Sequence, residues 1–125
     1  MPFLIDTDVM IDVSRGNASA ASLLDALESP SISIVTAQEL IVGARDKKDL
    51  AAIDSFVALF PIVHLDAAAG HLAYNLLKRY AGASGLRTFD SLIAATAIHH
   101  GMELVSRNGK HFAAIEELRL FSPSY

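Results

Sequence analysis

Short apolar runs alternate along this chain with longer segments in which apolar residues recur every three or four positions. The short runs predict strands, at 3–5, 32–35, 62–65 and 103–105, with a fifth candidate at 119–121. The longer segments predict five helices, at 18–28, 36–44, 46–59, 66–79 and 88–100. Short strands alternating with helices form parallel sheets covered on both faces. The pattern therefore predicts an α/β fold with a parallel central sheet of four to five strands and helices on both faces.

The composition limits the class of protein. With 125 residues, 52% hydrophobic and 19% charged, the chain predicts a single domain over 1–125 and excludes a disordered protein. The absence of cysteine excludes disulfides, thiolate zinc sites and cysteine nucleophiles. We expect a cytoplasmic protein without a membrane partner, because no signal peptide or spanning segment is evident. A net charge of −4 argues against a non-specific nucleic-acid coat, but it allows a nuclease whose acidic residues hold metal ions.

Polar and acidic residues follow the predicted strands where a parallel sheet would gather them. Asp6, Thr7 and Asp8 follow the first strand, and Glu39 lies shortly after the second. Asp90 lies at the start of the fifth helix. Ligands of such sheets bind outside the carboxyl ends of the strands. We therefore expect these side chains to lie along one edge of the sheet.

Structural roles compete with this functional interpretation. Asp6 and Asp8 have the chemistry of helix caps. Thr36 and Glu39 fit a capping box, in which Glu39 would bond back to the cap amide. Asp90 would be the second helical residue after a Thr88 cap, where a negative charge is favourable.

Asp90 is the hardest of these residues to explain structurally. It begins a helix whose segment 92–98 is apolar nearly all round, which indicates a buried helix. A carboxylate entering such a helix is costly unless it is paired or binds a metal, and three converging carboxylates repel one another. Oxygen ligands without cysteine suit Mg²⁺ or Mn²⁺. Such an ion orients and activates water for attack on a phosphodiester.

Four segments together resemble the successive motifs of a PIN domain, and most closely those of a VapC-type toxin of a toxin–antitoxin pair. They occur in order over essentially the whole chain, at 4–12, 35–44, 89–97 and 104–112. The resemblance implies a PIN-like fold and a metal-dependent endoribonuclease that uses Mg²⁺ or Mn²⁺. It also implies an RNA substrate, a homodimer and inhibition by a cognate antitoxin.

The resemblance assigns roles to residues of this sequence. Asp6, Glu39 and Asp90 correspond to the metal-binding, catalytic carboxylates. The supporting polar positions are Thr7, which is placed to hydrogen-bond a ligand or water, together with Ser106 and Asn108 after the fourth strand.

This chain departs from the family pattern at one position of the site. His111 stands where many relatives have a fourth carboxylate, so we expect one firmly held ion and a second only with substrate phosphate. Asp8, where many relatives have asparagine, supplies an extra negative charge. Arg107 and Lys110 are the best candidates for binding RNA phosphates, because they follow the fourth strand.

Other positions receive structural or partner roles. Apolar residues of the helix 67–80 fit the core and a dimer contact. An apolar groove for an antitoxin helix is expected near the first helices, from Val9, Met10, Val13, Leu23 and Leu27. His99 and His100 would point about 100° apart on a helix, so they are interpreted as a solvated helix end. Asp12 is interpreted as a surface or capping group.

Three alternatives stay open at this point. Asp6-Thr7-Asp8 superficially fits a haloacid-dehalogenase-type phosphatase, although the late acidic pair of that class is missing. A receiver-like signalling module would use Asp66 as phospho-acceptor and Lys110 as its partner. Because of His111, a catalytically silent PIN-like binding module is the third alternative.

Overall fold

The central element of the fold is a sheet of five parallel strands. The structure, a computed structural model, describes residues 2–125. The strands are β1 (Phe3–Ile5), β2 (Pro30–Ser33), β3 (Ile62–Val63), β4 (Glu103–Val105) and β5 (Leu120–Phe121). Their order in the sheet is β3-β2-β1-β4-β5, and every neighbouring pair is parallel. The predicted α/β class with a parallel sheet is confirmed.

Helices cover both faces of this sheet. They are α1 (Thr7–Ser14), α2 (Ala18–Ala26), α3 (Ile34–Val42), α4 (Lys47–Val57), α5 (Ala67–Ser84), α6 (Thr88–His99) and α7 (Gly109–Phe112). Successive residues of a strand face opposite sides of a sheet. Accordingly Leu4 packs into a core with α5 and α6, whereas Ile5 packs into a second core with α1, α3 and α4. None of the helices within residues 2–125 is long and apolar enough to cross a membrane.

The strand order creates a crevice beside β1. The chain moves from β1 to β2 on one side and later returns to place β4 on the other side, so the connections reverse direction there. Ligands of open α/β sheets bind at such a reversal, outside the carboxyl ends of the strands. A receiver-type sheet has the order 2-1-3-4-5. The receiver-like alternative is therefore wrong.

The start of α3 differs from the prediction. β2 ends at Ser33, and the Ser33 hydroxyl accepts a hydrogen bond from the Val35 amide at 3.0 Å and caps the helix. Thr36 consequently lies inside α3, where it is fully buried. The predicted strand 32–35 was too late by two residues, and the Thr36–Glu39 capping box is wrong. Both side chains are thereby available for other contacts.

The start of α6 is also shifted relative to the prediction. The cap residue is Arg87 rather than Thr88, so Asp90 is the third helical residue and accepts from the Arg87 amide at 3.3 Å. At the other end of α6, Gly101 has a φ of +65° and turns the chain towards β4. Gly101 therefore follows the helix as expected for a C′ residue. The helices α1 and α7 were not among the five predicted segments.

Candidate active site

Asp6 lies at the carboxyl end of β1, in the crevice between β1 and β4. Its amide donates to the Val105 carbonyl at 2.9 Å, which joins the ends of the two strands. Its Oδ1 accepts from the Thr7 amide at 2.8 Å, so Asp6 caps α1 as one structural interpretation predicted. Its Oδ2 accepts from the Ser106 hydroxyl at 2.7 Å. The carboxylate is therefore fixed from both sides and only 4% exposed.

Glu39 reaches the same crevice from α3. Its Oε1 accepts from the Thr7 hydroxyl at 2.7 Å. The Thr7 and Thr36 hydroxyl oxygens are 3.0 Å apart. Because a hydroxyl has one proton and that of Thr7 goes to Glu39, Thr36 is the donor in this second contact. The sequence analysis missed Thr36 as a site residue, because its spacing from Glu39 is also that of a capping box.

Asp90 approaches from the start of α6 and contacts His111 of α7. His111 Nδ1 lies 2.9 Å from Asp90 Oδ2 and 2.9 Å from Asn108 Nδ2. Since a carboxylate only accepts, the contact with Asp90 requires a proton on Nδ1. The backbone N–H of Asn108 donates to the Ser106 hydroxyl at 2.9 Å. Because Nδ1 is then itself a donor, its contact with Asn108 Nδ2 is a close polar contact and not a hydrogen bond. It nevertheless places His111 and Asp90 beside the Asp6–Ser106 pair.

These contacts join the predicted site residues into one network of hydrogen bonds and close polar contacts. It runs from Glu39 through Thr7, Asp6, Ser106, Asn108 and His111 to Asp90. Within residues 2–125, the oxygens of Asp6, Glu39 and Asp90 do not form a group closer than 4.8 Å to one another. Sharing one ion would therefore need small side-chain rotations or bridging water. The metal-ligand roles of the three carboxylates remain a prediction.

The network holds more negative charge than positive charge. Burial, followed by the negative charge of Asp8, raises the pKa of Asp6 from 3.8 to about 7. The hydrogen bonds from Ser106 and Thr7 oppose this rise, and the charge of Asp90 adds to it. Burial likewise raises the pKa of Asp8. A positive charge placed among these groups would lower their pKa values and stabilise the ionised forms.

Arg107 is held away from the centre of the network. Its amide donates to Asp8 Oδ2 at 3.0 Å, and its guanidinium donates to Asp12 Oδ2 at 3.2 Å. The guanidinium also stacks 4.7 Å from the ring centre of Tyr125, whose hydroxyl donates to Asp12 at 2.9 Å. Asp12 thus anchors Arg107 and Tyr125. Lys110 is exposed on α7, and the RNA-binding roles of Arg107 and Lys110 stay predictions.

A divalent cation fits the chemistry of this site. The donors are carboxylate oxygens from three elements, with hydroxyl and amide groups that orient them. The hydrogen bonds use one oxygen of Glu39 and one of Asp90. Hard divalent cations prefer such oxygen ligands, and a cation beside Asp6 would offset the burial that raises its pKa. The imidazole of His111 is a donor that Mn²⁺ tolerates better than Mg²⁺.

Comparisons with known proteins find similar proteins over nearly the whole chain. The family model described as PIN domain matches residues 3–118. The chain is 31% identical over 121 residues to ribonuclease VapC19 of Mycobacterium tuberculosis, covering 93% of this chain and 96% of that protein. It is 32% identical over 119 residues to ribonuclease VapC1 of Methanocaldococcus jannaschii, covering 94% and 83%. The haloacid-dehalogenase-type alternative is excluded by this match over the whole fold.

A solved structure shows the same fold. A chain of a toxin–antitoxin complex from Klebsiella pneumoniae superposes with a TM-score of 0.83 at 30% sequence identity, and 97% of each chain is covered. The fold is therefore shared over nearly the full length of both chains.

Proposed function

Because this chain belongs to the PIN-domain family, we propose that it is a VapC-type endoribonuclease that uses a divalent cation, and the toxin of a type II toxin–antitoxin pair acting in the cytoplasm. The observation that carries the proposal is the network joining Asp6, Glu39 and Asp90 at the crevice between β1 and β4. The names of the curated relatives, which are ribonucleases, support the activity. Mg²⁺ or Mn²⁺ is the proposed ion, and RNA is the proposed substrate.

The side chains of the site have different roles in the proposed hydrolysis. Asp6, Glu39 and Asp90 would hold the cation, which when bound polarises water and offsets charge that develops on the phosphodiester. Thr7 fixes the Glu39 carboxylate by its 2.7 Å hydrogen bond. Ser106 fixes Asp6 in the same way. These partners set the orientation of Asp6 and Glu39 before RNA arrives.

Cleavage of a labelled structured RNA by the purified chain tests this proposal. We expect cleavage with Mn²⁺ or Mg²⁺, none with EDTA, and a loss of more than about a hundredfold in Asp90→Asn. The matched control is Asp54→Asn on the exposed side of α4, which should cleave normally. Circular dichroism checks that both variants fold. RNA binding without cleavage in any metal would contradict the proposal and favour the silent binding module.

We propose that an antitoxin segment binds a groove between α1, α3 and α4. The groove has a volume of about 700 Å³, and its lining includes Ile11, Val13, Leu40, Ile53 and Phe56. The predicted groove was partly wrong, because Val9 and Met10 are fully buried. The Klebsiella relative comes from a toxin–antitoxin complex, which supports a partner here.

The groove also indicates how a partner would inhibit the enzyme. Glu39 lies on its wall, so a segment bound there adjoins the candidate metal ligands. Arg15 also lines the groove and would attract an acidic group, whereas Arg45 is already paired with Asp49 on the same wall. Ile53→Asp should abolish binding of the neighbouring gene's product without loss of RNA cleavage. Unchanged binding would exclude the groove.

We propose a homodimer whose contact includes Val42 and Phe89. Their exposed fractions are 85% and 56%, and both line a small apolar pocket with Val35. The stripe on α5 predicted for this contact is mostly core, because Ala73 and Leu76 are buried. Val42→Asp should convert the dimer to a monomer in light scattering, and an unchanged mass would exclude this surface.

A further inference from the structure

A second group of metal-ligating side chains lies at the far end of α6 from Asp90. Asp66 caps the start of α5, His99 is the last residue of α6, and His100 follows it. One ligand atom from each lies within 4.8 Å of those from the other two. About ten residues separate His99 and His100 from Asp90, which is roughly 15 Å along a helix. The group is therefore separate from the candidate active site.

The two rings converge although the residues are consecutive. His100 has φ −96° and ψ 6°, so it has left the helix, and Gly101 with φ +65° then turns the chain. His99 Nε2 lies 3.3 Å from Asp66 Oδ2, and His100 Nε2 lies 3.8 Å from the same oxygen. The expectation that the two rings diverge by about 100° holds only while both residues stay helical. It is wrong for this pair.

Only some of the contacts among these three side chains are short enough to be hydrogen bonds. The other Asp66 oxygen, Oδ1, accepts from the Ala69 amide at 2.8 Å, so only Oδ2 faces the rings. The 3.8 Å separation from His100 is too long for a hydrogen bond. The carboxylate is ionised, because the Ala69 amide and then the two histidines lower the Asp66 pKa. One anionic oxygen and two imidazole nitrogens thus face one point.

The separations match those required around a small transition-metal ion. Zinc binds nitrogen and oxygen at about 2.0–2.1 Å in tetrahedral geometry, which places neighbouring ligand atoms about 3.3 Å apart. The observed distances from Asp66 Oδ2 are 3.3 and 3.8 Å. All three side chains are between 37% and 46% exposed, so an ion can enter from solvent and the rings can rotate. The adjacent end of α6 also favours a cation, because helix C-termini carry partial negative charge.

We propose that Asp66, His99 and His100 form a second metal site, which takes a zinc-type transition-metal dication. Imidazole ligands favour zinc, copper and nickel, whereas Mg²⁺ requires oxygen ligands and would not bind here. The three ligands leave a fourth position for water. A bound ion ties the start of α5 to the end of α6 and stabilises the folded state. The site is independent of the proposed nuclease activity.

Titration of the untagged full chain with Zn²⁺ tests the site by calorimetry. We expect affinity at this site to fall at least tenfold in His99→Ala, His100→Ala and Asp66→Asn, while Asp90→Asn retains it. The control is His71→Ala, an exposed histidine on α5 beside Tyr74, which should bind zinc normally. Asp66→Asn is a conservative choice, because asparagine also caps helices. Equal zinc affinity and stoichiometry in wild type and His99→Ala would overturn the proposal.

Nuclear magnetic resonance gives a second readout that needs no variant. Zinc should shift the imidazole nitrogen signals of His99 and His100 in the wild-type chain, and Mg²⁺ should leave them unchanged.

The melting temperature should rise by several degrees with Zn²⁺ in wild type and not in His99→Ala. Zinc that shifts His111 alone would overturn the proposal.

Discussion

The two ends of α6 hold ionisable groups of contrasting kinds. At its start, Asp90 belongs to a partly buried network of carboxylates fixed by hydroxyl and amide donors. At its end, His99 and His100 face a single exposed carboxylate, that of Asp66. Burial raises the pKa of Asp6 at the first end, whereas hydrogen bonding lowers the pKa of Asp66 at the second. Ligand type and burial together, more than the mere presence of acidic residues, decide which cation each end suits.

Removing the buried negative charge of Asp6 should have the largest effect and should distinguish the two ends of α6 most clearly. In EDTA, Asp6→Asn should be more stable than wild type at pH 8, by up to about 4 kcal/mol. The folded pKa of about 7 exceeds the unfolded value of 3.8, so the wild type loses stability as pH rises between them. The two proteins should converge below about pH 4. Urea unfolding at several pH values measures this difference.

The corresponding substitution beside the end of α6, Asp66→Asn, should show the opposite dependence of stability on pH. The folded pKa of Asp66 is lowered, so its stabilising contribution is present above the unfolded value and is lost as pH falls. Asp66→Asn should therefore gain nothing at pH 8. A stabilised Asp66→Asn would remove the contrast between the two ends.

Removing the Thr7 hydroxyl tests whether its hydrogen bond holds the Glu39 carboxylate in place for the cation. Thr7→Val removes the donor that fixes Glu39 and should lower Mn²⁺ affinity by about 10–100-fold. Thr88→Val makes the same change at an exposed position and serves as control. Calorimetry with Mn²⁺ reports the loss. Equal affinities in both variants would show that Glu39 does not need Thr7.

Replacing His111 by aspartate should leave only oxygen ligands at the candidate active site. His111→Asp supplies the fourth carboxylate, so the ratio of Mn²⁺ to Mg²⁺ affinity should fall by about tenfold, because imidazole favours the later transition metals. His64→Asp adds the same charge at an exposed position away from the network. An unchanged ratio would mean that His111 does not influence the ion.

The smallest effects should come from the basic residues beside the network. Lys110→Ala and Arg107→Ala should each raise the KM for RNA by about two- to fivefold and reduce the salt dependence of binding by about one ion. A lower kcat with unchanged KM would contradict a role in phosphate binding. Neither change should alter zinc binding at the far end of α6.

The first end was largely predictable from sequence, and the second was not. Asp6 and Ser106 directly follow strands whose apolar runs are unambiguous, so their meeting follows from the parallel sheet. The shift of β2 arose because Ile34 and Val35 continue the apolar residues of the strand into the first turn of α3. Asp66 lies beside His99 and His100 because α5 packs against α6 and because His100 has left the helix. Neither feature can be predicted from the local periodicity of the sequence.

The hydrogen bond between Asp6 and Ser106 joins residues 100 positions apart in the chain. A ribosome that has translated β1, β2 and β3 has produced Asp6 and Glu39 but not Ser106, Asn108 or His111. A domain generally folds as a unit during synthesis. The carboxylate centre therefore assembles only after residues 106–111 have been translated. Prematurely terminated products of this gene are accordingly expected to be harmless to the cell that makes them.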